Sequence, residues 1–306
     1  KEMIICTGSL GLDTTRTPFR TVERVLGGSA SYFGVSAGFF DKVGLVSAVG
    51  GDFPQEYWRL LEEKGIDLSG VQRVEDAKTL FFDSSFDYDL YHRKVNVLEL
   101  NVTASFNPVV PASFRKADVL FLATNTPKTQ LYLLDQVDAR LSLMDTIEYY
   151  IESDLKNLLD VVKRVNGIIV NDVEARMLSG TPNLIKAGKK ISEMGPEIVL
   201  IKKGEHGSIL FHEREAYPFP AYPIETAVDP TGAGDSFAGG FVGHLARRLS
   251  EGGRVSERVL KEAVVYGNVL GSFAVEGFSL DKLASITRDD VETRFNHYTN
   301  LLNFRD

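Results

Sequence analysis

Short apolar runs bounded by turn residues alternate along this chain with stretches whose apolar positions recur every three to four residues. The first pattern predicts buried strands, and the second predicts helices with one apolar face. Residues 3–7 read as a buried strand closed by the turn Gly8-Ser9-Leu10-Gly11-Leu12-Asp13, which carries one carboxylate. From 14 to 26, Phe19, Val22 and Val25 alternate loosely with charged residues, which predicts an exposed strand. Gly27-Gly28 breaks the chain before a small-residue helix over 29–40, a second buried strand over 43–49 and a short amphipathic helix over 54–64.

The stretch 71–100 has a different pattern. Thr79-Leu80-Phe81-Phe82 and residues 91–100 alternate and are rich in β-formers, with a polar turn around 83–89. They predict antiparallel strands that pair with 14–26 in a small sheet outside the main body. From residue 117 strands and helices take turns. Strands are expected over 119–123, 141–144, 168–171, 198–202 and 208–211. Helices are expected over 128–137, 155–164, 173–178 and 184–194, then over 234–249, 258–275 and 288–302. The alternation predicts an α/β fold, a three-layer sandwich with a mostly parallel central sheet, plus the small outlying sheet. In such folds ligands sit beyond the C-terminal ends of the strands.

Composition narrows the partners. At 306 residues the chain can bury a full core as one large domain or two smaller ones. A net charge of −8 argues against nucleic acid or an anionic membrane as the main partner, and leaves room for an anionic ligand in a local pocket. No apolar run approaches the ~20 residues of a membrane span. The opening Lys1-Glu2-Met3-Ile4-Ile5-Cys6 is too short and acidic for a signal peptide. Cys6 is the only cysteine, so intrachain disulfides are impossible, and the five histidines show no metal-ligand spacing. A cytoplasmic protein without zinc is expected.

Candidate chemistry concentrates in Asp229-Pro230-Thr231-Gly232-Ala233-Gly234-Asp235-Ser236-Phe237-Ala238-Gly239-Gly240-Phe241. Turn residues give way to a helical face of Ala238, Phe241, Val242, Leu245, Ala246 and Leu249. A glycine loop thus feeds a helix N-terminus, where free N–H groups and the positive dipole end suit a phosphate. Two readings of Asp235 stand at this point. It caps the helix, or it takes the proton of a hydroxyl attacking a phosphate. Asn171-Asp172-Val173-Glu174 follows a strand, and Glu174 either completes a cap with Asn171 or holds a hydrated Mg²⁺ through water. Lys202-Lys203-Gly204-Glu205-His206-Gly207 closes another strand, as a solvated hairpin or a nucleotide-facing turn. There is no G-x-x-x-x-G-K-[ST], no G-x-G-x-x-G and no protein-kinase signature, so P-loop NTPases, simple dinucleotide dehydrogenases and protein kinases do not fit.

In these residues the chain resembles the ribokinase-like, or pfkB-type, carbohydrate and nucleoside kinase family, along essentially its whole length and in order. The 229–241 stretch is similar to the family's D-T-x-G-A-G-D signature, with Pro230 at the second place. The N-x-x-E element and the Gly27-Gly28 pair fall at the expected distances. The resemblance implies an ATP-dependent kinase that transfers the γ-phosphoryl group to a hydroxyl of a small sugar or related polyol. In that reading Asp235 is the general base, and Gly232, Ala233 and Gly234 form the anion hole. Glu174 orders the Mg²⁺ shell and Asn171 lies near the ATP phosphates. Lys202 and Gly204 fall in the nucleotide turn, and Asn268 lines the base pocket. Asp229 and Thr231 match positions that in many members hold a monovalent cation such as K⁺. Asp13 matches the aspartate that binds substrate hydroxyls, with Gly27 and Gly28 beside it, and Asn125 takes a further substrate-facing place. Residues 14–26 and 71–100 match the family's β lid, often also a homodimer contact. Residues 1–13, 27–70 and 101–306 match its α/β kinase body.

Two places depart from the family pattern. Tyr32 stands where many sugar kinases of the family carry an Asn that contacts sugar hydroxyls. The stretch Ala274-Val275-Glu276-Gly277-Phe278 is shorter than the usual loop closing the nucleotide and cation pocket. Phe19, Phe81, Phe82 and Tyr91 are available to stack on a nucleoside base, or to fill the lid's own core. A nucleoside kinase of the same family is therefore the first alternative, and a non-catalytic nucleotide- or sugar-binding regulator the second.

Overall fold

A computed structural model describes residues 3–303. Lys1 and Glu2 at the start, and 304–306 at the end, which the sequence assigns to the α/β body, lie outside the described residues. The chain runs from β1 (Ile4–Thr7) into β2 (Gly11–Arg16) and β3 (Thr21–Gly27), then α1 (Ser29–Gly38), β4 (Val43–Gly50), α2 (Gln55–Glu63) and β5 (Ile66–Val74). A hairpin of β6 (Leu80–Phe86) and β7 (Arg93–Glu99) follows. Then come β8 (Lys116–Leu122), α3 (Pro127–Gln136), β9 (Asp138–Met144), α4 (Glu148–Ser153), α5 (Leu155–Val162) and β10 (Gly167–Asn171). Next are α6 (Asp172–Ser179), α7 (Leu184–Ser192), β11 (Ile198–Lys202), β12 (Ser208–His212) and β13 (Glu215–Phe219). Four helices close the chain: α8 (Ala233–Ser250), α9 (Glu257–Ala274), α10 (Asp281–Ser285) and α11 (Arg288–Leu302).

Among the described residues the strands make two sheets. The large one has nine strands in the order β13-β12-β11-β10-β9-β8-β1-β4-β5, and the small one is β3-β2-β6-β7. In the large sheet the strands from β11 through β5 pair in parallel, while β12 and β13 add antiparallel at one edge. Strand alternation explains the three layers. Ile4, Cys6, Val119, Phe121, Ile169 and Leu200 face one core with α1, α8 and α9. Their neighbours Ile5, Leu120, Leu122, Ile168, Val170, Val199 and Ile201 face the other, under α3, α5 and α7. A strand buried on both faces must be apolar throughout, which is why these runs read as continuous rather than alternating. Helix α8 lies close between its neighbours. A Cβ on Gly239 would come within 2.6 Å of Ser36 Cβ, and one on Gly240 within 2.5 Å of the Tyr266 carbonyl oxygen.

The structure corrects three local expectations. Residues 14–26 are not one strand, and 8–13 are not simply a turn: β2 and β3 form an antiparallel hairpin beginning at Gly11. Its reversal is made by Thr17-Pro18-Phe19-Arg20, where Thr17 N–H donates to Arg20 O at 2.9 Å and Thr17 Oγ1 accepts from Phe19 and Arg20 N–H. Pro18 suits such a turn because its φ is already set. Residues 71–74 continue β5 beside β4 in the large sheet. The polar turn of the second hairpin lies over 87–92. Asp83 is instead on β6, held by Arg16 at 2.9 Å and Asn96 at 2.9 Å.

Candidate active site

The C-terminal ends of the parallel strands converge on one edge of the large sheet. β1 ends at Thr7, β8 leads to Asn125, β9 to Asp145, β10 ends at Asn171 and β11 at Lys202. The 228–232 loop and the first turn of α8 contribute the other half of the site. Val228 and Asp229 N–H donate to the Val275 carbonyl at 2.7 and 3.3 Å. The buried Asp229 accepts the Thr231 N–H on Oδ1 at 2.8 Å. Gly232 then takes a left-handed φ of 75° and α8 begins at Ala233. Glycine is required there twice over, since a Cβ would also lie 2.3 Å from the ring of Tyr32. The Lys202 ammonium lies over the same turn, 2.9 Å from where a Cβ of Gly234 would sit. Gly232, Ala233, Gly234, Asp235 and Lys202 are thus brought together, with helix N–H groups and an ammonium directed at one place.

The carboxylates around that place are held in an unusual state. Burial raises the Asp235 carboxyl above its ordinary range, against the opposing pull of Lys202 and then Arg93. Asp145, at the end of β9, is buried, and burial pushes it well up, aided by the charge of Asp235. Thr124 Oγ1 donates to its Oδ1 at 3.2 Å. Glu174 is pushed up to about 7 by burial, with Lys202 opposing. Asn171 and Glu174 form a capping box. Asn171 N–H donates to Oε2 at 2.7 Å, Asn171 Nδ2 donates to Oε1 at 2.9 Å, and Asn171 Oδ1 accepts Glu174 N–H at 2.8 Å. The cap leaves each Glu174 oxygen a further lone pair.

Three buried or half-buried carboxylates sharing one lysine make a surplus of negative charge that suits a divalent cation. Among the described residues no three acidic, His or Cys groups converge as a direct metal cage. The donors fit an ion kept in its water shell, as Mg²⁺ usually is.

On the other side of the 229–235 loop lies β2 of the small sheet. Thr15 Oγ1 is 3.5 Å from Thr231 Oγ1. Asp13 packs directly over Gly27, where a Cβ would fall 2.1 Å from its carboxyl. Its Oδ1 is buried without a hydrogen-bond partner in the protein, which suits an incoming hydroxyl donor. Burial pushes Asp13 up to about 7, Asp229 adds to the rise, and the Gly28 N–H opposes it. Asn125 is buried at the same edge, its amide donating to Thr7 Oγ1 at 3.5 Å and its Oδ1 accepting Thr126 N–H at 2.8 Å. Asn268 lies buried on α9 with its amide turned back to the Val264 carbonyl. Gly204, at φ 55°, is covered by the Tyr91 ring of the lid.

Several features escaped sequence reading. Tyr32 is 2% exposed, with its ring packed against Gly232. The four lid aromatics divide. Phe19 is exposed beside Tyr88, Phe81 packs on the main core, Tyr91 docks on the 203–207 turn, and Phe82 lies beside Asp13 in the β2–β6 register. Asp145 directly follows an apolar strand at the ligand-binding edge, which was its available signal.

The raised carboxyls have a measurable consequence. Asp13 and Glu174 titrate near 7 in the folded protein and near 4 when unfolded. Their contribution to stability is complete below about pH 4 and is lost as pH rises through 7. His244, pulled down to about 4 by burial, works in the opposite sense, but only below about 6.5. The Tm of the ligand-free protein is therefore expected to fall from pH 6.5 to 8. Asp13→Asn should raise Tm at pH 8 and flatten that fall. Thermal melts check this, and a flat or rising wild-type profile contradicts it.

Comparison with known proteins agrees with this fold. The model of the pfkB family carbohydrate kinases matches residues 4–285. The cytidine kinase of Thermococcus kodakarensis is 32% identical over 254 residues, covering 80% of this chain and 88% of that protein. The nucleoside kinase of Methanothermobacter thermautotrophicus is 28% identical over 271 residues, 86% of this chain and 82% of that one. The crystal structure of Methanocaldococcus jannaschii nucleoside kinase, an archaeal member of the ribokinase family, shares the fold with a TM-score of 0.75 at 20% identity, over 97% of this chain and 99% of that chain. No helix among the described residues is long and apolar enough to cross a membrane. The chain belongs to the pfkB family of carbohydrate kinases, phosphotransferases whose acceptor is a hydroxyl group.

Proposed function

We propose that this protein is an ATP-dependent kinase of nucleosides, with Asp235 as general base. The sequence alone put a sugar or polyol first and a nucleoside second. What reverses that order is the 32% identity to a cytidine kinase over 88% of that protein's length. The burial of Tyr32, where sugar kinases present an Asn to the substrate, is consistent with it.

The chain's residues divide the work as follows. Asp13 accepts a hydrogen bond from an acceptor hydroxyl, using the lone pair that the protein leaves free. Asp235 takes the proton of the attacking hydroxyl late in the reaction, which suffices because the phosphoryl-transfer transition state is loose. The N–H groups at the start of α8 and the Lys202 ammonium stabilise negative charge on the moving phosphoryl group. Asp145 and Glu174 would hold Mg²⁺, which when bound would neutralise phosphate charge. The lid excludes water that would otherwise take the phosphoryl group.

The deciding measurement is steady-state transfer from ATP with Mg²⁺, with and without K⁺, to cytidine, adenosine, inosine, ribose, fructose and inositol. The best nucleoside should exceed every sugar in kcat/KM by about 10²-fold or more. A sugar as the best acceptor overturns the nucleoside reading. Nucleotide binding with no transfer to any acceptor favours the regulator.

A further inference from the structure

The segment between α9 and α10 touches both halves of the site. At one end the Val275 carbonyl accepts Val228 N–H at 2.7 Å and Asp229 N–H at 3.3 Å, which roots the loop that leads to Gly232. At the other end Ser279 Oγ donates to the Leu26 carbonyl at 2.6 Å, across 253 residues of sequence. Leu26 immediately precedes Gly27, the glycine over which Asp13 packs. Between these anchors Phe278 is buried, and the Arg20 guanidinium from the β2–β3 turn lies 5.7 Å from its ring. Residues 275–279 thus form a strap that joins the glycine loop, the acceptor-side glycines and the turn of the lid. Helix α11 holds the strap down. Arg294 Nη1 donates to Glu276 Oε2 at 2.8 Å and to Ser272 Oγ at 3.0 Å.

Ser279 sits in a backbone conformation that glycine would adopt more readily. Its φ is 52°, in the left-handed region, and the residue is buried. A side chain kept there is over-determined by its surroundings, and such residues cluster at functional sites. Glycine would relax the backbone, but only a side chain with a donor reaches the Leu26 carbonyl. The next two carbonyls are held in the same way. Ser31 Oγ lies 2.8 Å from the Gly27 carbonyl oxygen and 2.7 Å from that of Gly28, and its single O–H serves one of them at a time. Hydroxyls from α1 and from the strap therefore grip the backbone over 26–28.

We infer that Ser279 is a positioning residue for phosphoryl transfer: through the Leu26 carbonyl it holds the acceptor-side glycines at a fixed spacing from the glycine loop rooted on Val275. This rests on the kinase reading above. In the transfer, the acceptor oxygen forms a bond to the γ-phosphorus as the bond to the β–γ bridging oxygen breaks. The hydroxyl proton passes to Asp235, and ADP leaves with the electron pair on that bridging oxygen. The two reacting atoms are presented by different segments, the acceptor beside 26–28 and the phosphate beside 232–235. The strap is a short covalent path between the anchors of those segments. In-line attack is sensitive to a misplacement of about 1 Å, so loosening one anchor costs rate even where both substrates still bind.

The test compares Ser279→Gly and Ser279→Ala with the wild type on the best acceptor of the panel. Both variants lack the hydroxyl. Ser279→Gly sheds the backbone strain, so it should melt within a few degrees of the wild type, whereas Ser279→Ala keeps the strain and should melt lower. Both should lose kcat alike, by about 10-fold or more, with the Kd of ATP unchanged. Free phosphate released per phosphoryl group transferred should rise, because a misplaced acceptor leaves the γ-phosphoryl group open to water. A purely structural role moves Tm and leaves that ratio alone. An unchanged kcat in Ser279→Gly overturns the inference, as does a loss of kcat that follows Tm with an unchanged ratio. A wild type that transfers to no acceptor overturns the kinase reading and this role with it.

Discussion

Asp235→Asn is expected to lower kcat about 10²- to 10⁴-fold, the range that a positioned general base contributes. The amide keeps the shape of the side chain and its place in the first turn of α8, but it cannot accept the proton of an attacking hydroxyl. Binding of ATP should survive or tighten, because the substitution removes a negative charge beside Lys202 and the helix N-terminus. The split is the diagnostic part. A role in helix stability alone would leave both stability and turnover near those of the wild type, since Asn serves helix N-termini as well as Asp. Steady-state kinetics and nucleotide titration of the same preparation separate the two. Turnover within a few-fold of wild type would sink the base assignment.

Gly232→Ala is expected to damage both stability and rate. The native φ of 75° costs an alanine about 1–2 kcal/mol. The added Cβ would also lie 2.3 Å from the Tyr32 ring, which is buried and has little room to retreat. The loop must shift, and the first N–H groups of α8 shift with it. Losing one well-aimed donor lowers kcat about 10²- to 10³-fold. Gly252 provides the control. Its φ is 81°, but nothing lies within 4 Å of the Cβ position, so Gly252→Ala carries the backbone cost without the collision. It should lower Tm modestly and leave kcat alone. Comparable loss of turnover in both variants would mean that general destabilisation, and not the geometry of the glycine loop, explains the effect.

Most of the architecture was legible along the chain. The runs at β1, β4, β8, β10 and β11 are apolar because both faces of a central parallel strand are buried. The 229–241 stretch announced a loop feeding a helix, and α8 begins one residue before the predicted start. Where local reading failed, the residues were governed by partners far away in sequence. Residues 14–26 looked like one loose strand because half of their side chains point to solvent in a two-sided sheet, and the Thr17–Arg20 reversal is short. The end of β5 looked like part of the lid because only its pairing with β4 assigns it to the body. The short elements α4, β13 and α10 are too brief to show a period.

The candidate site divides in the same way. The sequence by itself determined the α/β class, the glycine loop with its aspartate and the Asn171–Glu174 pair after β10, because each rests on neighbours along the chain. Tertiary structure alone decided that Tyr32 supports Gly232 and that Lys202 crosses over Gly234. It also decided that Asp145 joins the acidic group and that β2 sets Asp13 over Gly27. Those relations are set by sheet order, register and packing between segments up to 200 residues apart, such as Tyr32 and Gly232. No local pattern of polar and apolar positions encodes them.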